Sequence, residues 1–97
     1  MKVIMIFEIT DKSKRNIRLT KERWKHINAD HPEVAPLLEE VKTTLQIPTK
    51  ITSFEYDETI HHYYRHRKEN ADYLQIVVKY LNGDGFIITA YLTKKIQ

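Results

Sequence analysis

His, Arg, Lys, Thr and Tyr are the side-chain types of this sequence suited to moving protons and steadying negative charge, and His26, His31, Arg65, Lys79, Thr89 and Tyr91 are candidates among them. Imidazole titrates near neutral pH and can act as base or acid. A guanidinium grips an oxyanion with two prongs, whereas an ammonium meets it as a point charge. Threonine and tyrosine hydroxyls add hydrogen bonds that orient such a group. Each residue also has a plain structural reading. His26 could be a solvated helix residue, His31 the cap of the turn that follows, and Lys79 and Thr89 ordinary members of a wet sheet face.

Whether these groups can meet depends on the elements that carry them. Lys2–Ile9 is rich in Val, Ile and Phe and reads as a strand; a polar turn follows, and Ile17–Leu19 returns as a short strand. Thr20 is suited to cap a helix, with Leu19 and Trp24 as the hydrophobic staple that sets its entry angle. Trp24 and Ile27 form the buried side of this helix, and His26 points away from Trp24. Pro32 ends it, because a residue before proline is disfavoured in the α region. Pro36 repeats that constraint, so 32–35 is expected as a separate turn with a second helix starting near Pro36. Val34, Leu37, Leu38, Val41 and Leu45 follow helical spacing, and Pro48 closes the segment.

Four β runs complete the chain: Ile51–Tyr56, His61–Arg67, Tyr73–Leu81 and Phe86–Thr93. Asn82-Gly83-Asp84-Gly85 makes the last two a hairpin. A three-residue loop would keep one hairpin face apolar and gather Gln75, Lys79, Thr89 and Tyr91 on the other. The expected fold is α+β. Two helices pack on an antiparallel sheet of four main strands, with an N-terminal strand pair at one side, in a single domain over residues 1–97.

A chain of 97 residues supports one core. Two glycines and three prolines argue against a linker or disordered tail. The absence of cysteine rules out disulfides and thiolate metal sites and suits a cytoplasmic protein. Val3–Phe7 is apolar but too short for a signal peptide or membrane span. The net charge of +3 permits a polyanionic partner, and clustering of bases at Lys12–Arg18, Lys21–His26 and His61–Lys68 suggests one basic face. His62 and His66 share a strand face with Tyr64 between them, short of the three or four ligands zinc needs, so a metal site is not expected.

Trp24-Lys25-His26-Ile27, His31-Pro32, Tyr63-Tyr64-Arg65 and Thr89-Ala90-Tyr91-Leu92 stand in a telling order. From Ile17 to Thr93 the chain resembles the phage-type members of the barnase–EndoU–colicin–RelE group of small nucleases. Each motif is short, so order and spacing carry the likeness. The resemblance implies a metal-independent endoribonuclease without a cofactor, toxin-like or phage-derived, often checked by an antitoxin or immunity protein. Such cleavage deprotonates the 2′-hydroxyl, steadies the phosphorane and protonates the 5′-oxygen. It implies His26 or His31 as the proton-transfer group, His26 being preferred, with Arg65 and Lys79 on the phosphate and Thr89 and Tyr91 orienting it. Two other readings use the same basic face: a nucleic-acid-binding module that has lost catalysis, and a protein-interaction domain that docks an acidic partner.

Overall fold

The computed structural model describes residues 2–96. It is α+β, with strands β1 (Met5–Thr10), β2 (Asn16–Thr20), β3 (Lys50–Phe54), β4 (Asp57–Arg67), β5 (Asp72–Leu81) and β6 (Asp84–Thr93). Helix α1 (Lys21–Asp30), a 3-10 segment at Pro32–Leu37 and helix α2 (Leu38–Gln46) lie between β2 and β3. The strands form one mixed sheet in the order β1-β2-β6-β5-β4-β3. Its pairings are antiparallel except β2 against β6, which run parallel through Ile17↔Gly85 and Arg18↔Phe86. The N-terminal pair is therefore an extension of the same sheet, joined at the last strand. Gly85 permits this junction, because a side chain there would lie 2.8 Å from the Tyr80 ring and 3.0 Å from Ile17.

Helix α1 starts where its cap chemistry says it should: Thr20 Oγ1 accepts the Arg23 amide at 3.1 Å, a cap worth about 1 kcal/mol. Glu22 in the first turn favours the positive end of the helix dipole. Pro32 ends the helix as expected, but the 3-10 segment runs through Pro36 to Leu37, and α2 begins only at Leu38. Pro36 lacks an amide donor, so the α ladder cannot form across it. Ile27, Val34, Val41 and Leu45 press on Ile17, Leu19, Tyr63, Leu74, Ile76, Val78 and Ala90, and these form the core on one face of the sheet.

The hairpin differs from the expected three-residue loop. Leu81 pairs with Asp84 across Asn82-Gly83, and both loop residues have positive φ, 54° and 85°. Such a turn matches the right-handed twist of its strands. A bulge at Ile88 then shifts the register so that Val77 faces Thr89 and Gln75 faces Tyr91, which restores the separation of apolar and polar faces.

Candidate functional site

Strands β4, β5 and β6 lay out side chains in rows on the face turned away from the helices. The register gives His66–Tyr73–Thr93, then Tyr64–Gln75–Tyr91, then His62–Val77–Thr89, then Ile60–Lys79–Phe86. Paired residues on neighbouring strands project to the same side, so each row is a line of neighbours. Tyr64 and Gln75 stand outside the core cluster yet are buried: Gln75 is 1 % exposed. An aromatic layer shields them, with His62 and Tyr73 edge-on to Tyr64 at 6.4 Å and His66 against Tyr73 at 5.0 Å.

His31 reaches this face from the other half of the chain. Its ring lies 5.3 Å from that of Tyr91, tilted by 31°. Its backbone ends α1, the amide donating to Ile27 O at 2.7 Å, while its carbonyl accepts the Val34 amide. The side chain makes no cap hydrogen bond, which removes the capping role considered for it. Burial, then the nearby Tyr64, holds the Tyr91 hydroxyl above its ordinary pKa, so Tyr91 stays a neutral donor.

His62 is a member of the face whose role was not read from the sequence. Gln75 Nε2 and His62 Nδ1 are 3.2 Å apart. An amide nitrogen only donates, so Nδ1 accepts and the ring proton sits on Nε2. Burial lowers the His62 pKa, in keeping with this neutral tautomer. The other end of the amide, Gln75 Oε1, is buried without a hydrogen-bond partner.

The remaining expected residues are dispersed. Thr89 and Lys79 lie on the open face by register. Lys79 already has a partner, Asp57, at 3.2 Å; that carboxyl is held down to about 2 by hydrogen bonds from Thr59 and by Lys79. His26 is 66 % exposed at its side chain and pairs with Glu22 of its own helix at 3.8 Å, away from the rows. Arg65 stands opposite Leu74 on the helix-covered face and donates to Ile47 O at the end of α2, 2.6 Å away. The bases of the His61–Lys68 cluster do not share one face. Alternation along β4 sends His62 and His66 one way and His61, Arg65 and Arg67 the other, and Arg15 stacks on Tyr80 at 3.7 Å.

Among the described residues, no three His, Asp or Glu side chains gather as a potential metal-binding group, and no helix is long and apolar enough to cross a membrane. Comparison of the chain with protein-family models, with curated proteins and with solved structures finds no match, so function has to be argued from this face itself.

Proposed function

We propose that the chain is a metal-independent endoribonuclease, toxin-like or phage-derived, with a barnase–EndoU–colicin–RelE-like domain. The observation that carries this reading is the seating of His31 on Tyr91, on the same sheet face as a second imidazole, His62, whose tautomer Gln75 sets. RNA is the substrate. His31 takes the 2′-hydroxyl proton as the 2′-oxygen bonds to phosphorus. The neutral His62 ring keeps its proton and donates a hydrogen bond from Nε2–H to the phosphorane, while a water molecule protonates the departing 5′-oxygen, leaving a 2′,3′-cyclic phosphate and a 5′-hydroxyl. Thr89 and Tyr91 orient the phosphate, and Lys79, shared with Asp57, offsets part of the charge that develops. This reading assigns no catalytic role to His26 or Arg65. An antitoxin or immunity protein, acting in the cytoplasm, would cover the same face.

The test is cleavage of a single-stranded RNA in excess EDTA, with analysis of the new ends. Cyclic phosphate product is expected, together with a roughly 10²–10⁴-fold rate loss in His31→Ala at unchanged RNA affinity. A requirement for added magnesium or zinc would refute the mechanism.

One observation favours a second reading, a nucleic-acid-binding module without catalysis. Lys79 is matched by Asp57 and Arg65 is on the other face, so no unmatched cation stands beside His31 in the rows. Binding without cleavage under every ionic condition would decide for it.

A further inference from the structure

Beside the rows lies a groove of about 300 Å³ created by the way the sheet is joined. Strand β2 stays against β6 for only two residue pairs before Lys21 turns the chain into α1. Beyond Phe86 a notch is left between the first turn of that helix and the sheet. Phe86, Leu81 and Ile88 give it an apolar lining, and Arg18, Arg23 and Lys79 supply three cations. Phe86 and Leu81 are exposed large hydrophobics, 37 % and 50 % accessible. The Arg18 guanidinium sits 5.3 Å from the Phe86 ring centre and holds Asp84 at 2.6 Å. Arg23 has no ion-pair partner among the described residues, so its charge is the unmatched one.

An exposed aromatic ring beside an unmatched arginine is how single-stranded nucleic acid is held: a base stacks on the ring and the phosphate meets the cation. The groove also abuts the site already described. Lys79 lines it and stands one row from His62–Val77–Thr89. We propose that the groove is a nucleotide subsite of single-stranded RNA, taking one base on Phe86 and the adjoining phosphate between Arg23 and Arg18. It extends the nuclease reading, on which it rests, by giving the strand a direction across the sheet, from the His31–Tyr91 pair past Lys79 to the start of α1. A strand spanning both regions is bound more tightly than a dinucleotide that reaches only the first.

The experiment measures binding of an uncleavable 2′-O-methyl hexanucleotide by fluorescence anisotropy, alongside cleavage of the matching ribonucleotide hexamer and of a dinucleotide. Phe86→Leu should weaken hexamer binding about tenfold and Phe86→Tyr should restore it, since stacking needs the ring. Arg23→Gln should weaken it too and flatten the salt dependence, lowering the logarithmic slope by about 0.7 for one lost phosphate contact. Dinucleotide cleavage should be unchanged in all three variants. Wild-type hexamer affinity in both Phe86→Leu and Arg23→Gln would overturn the subsite, even if the protein cleaves RNA. Weakened binding in a wild-type background that never cleaves would keep the subsite and remove the nuclease. Failure of the wild type to bind the hexamer would remove both.

Discussion

Tyr63 and Tyr64 are neighbours on β4, both fully buried, and they serve opposite faces of the sheet. On the helix side, Tyr63 donates to Asp11 Oδ2 at 2.5 Å and meets the Tyr80 hydroxyl. Asp11 also accepts from the Ser13 and Arg15 amides, at 3.0 and 2.8 Å. This knot ties the β1–β2 turn to β4 and β5, and nearly all its polar atoms answer one another; only at its margin is a buried nitrogen, His61 Nδ1, left without a partner. On the open side, Tyr64 stands in a row with Gln75, which carries an unanswered buried oxygen, and Tyr91, against which a histidine from a distant segment is seated. A buried polar group without a partner costs about 1–3 kcal/mol. Such a cost is tolerated where a fold reserves a group for something it binds. The first tyrosine joins a closed hydrogen-bonded knot, and the second stands beside a buried oxygen that the fold leaves without a partner.

Removing the carboxylate tests the contrast most severely. Asp11→Ala deprives two buried hydroxyls and a turn of their common acceptor, and about 3 kcal/mol of stability should be lost in urea unfolding. Burial opposes ionisation of Asp11, yet hydrogen bonds from Tyr63, Ser13 and Arg15 and the Arg15 charge together hold its pKa below 3.8. A carboxyl with a lowered folded pKa contributes stability above its unfolded value and loses it as pH falls through the folded one. Wild type should therefore weaken as pH drops below about 4, whereas Asp11→Ala should lack that component. A loss under 1 kcal/mol would mean that the two faces do not differ as described.

The converse change is Gln75→Met, which keeps the volume and removes the unanswered oxygen. Stability should stay within about 1 kcal/mol of wild type, or rise, because both the orphan atom and its cost disappear. RNA cleavage should fall about tenfold or more, since His62 loses the donor that sets its tautomer. A variant that is destabilised by several kcal/mol and fully active would make Gln75 architectural.

Smallest is the acid response of the open face. Burial lowers the His62 pKa, so the unfolded chain takes up a proton near pH 6.5 that the folded chain refuses. That contribution is present above 6.5 and fades as pH falls through the folded value, an effect of under about 1 kcal/mol. Thermal melts of wild type and His62→Gln between pH 7 and 5 should diverge by about a degree or two, with the variant flatter. Parallel curves would show that His62 is freely solvated.

Much of the scaffold was legible because its signals are local. Thr20, Pro32 and the Asn82–Gly85 turn act within a few residues of themselves, and the regular spacing of Val34, Val41 and Leu45 declares the packed side of its segment. The site was harder. Tyr63-Tyr64-Arg65-His66-Arg67 has no apolar–polar alternation, so nothing local tells which of its members face the helices, and register alone puts Arg65, expected at a phosphate, opposite Leu74. Register across β4 and β5 decides that Gln75 meets His62, and a bulge at Ile88 decides which of β6 faces Gln75. The burial of Asp11 in what reads as a polar turn follows from tyrosines more than fifty residues away.

The parallel contact between β2 and β6 also governs when the molecule becomes competent. Ile17 cannot dock until Gly85 exists, and His31 has no ring to sit on until Tyr91 does. Closing a loop that long is entropically slow and gains nothing until the hairpin is in place. During synthesis the helices and the early strands emerge first, so the His31–Tyr91 contact is made after nearly all of its supports. A nascent chain stalled before Phe86 would carry every histidine of the sequence and yet lack the ring against which His31 is seated.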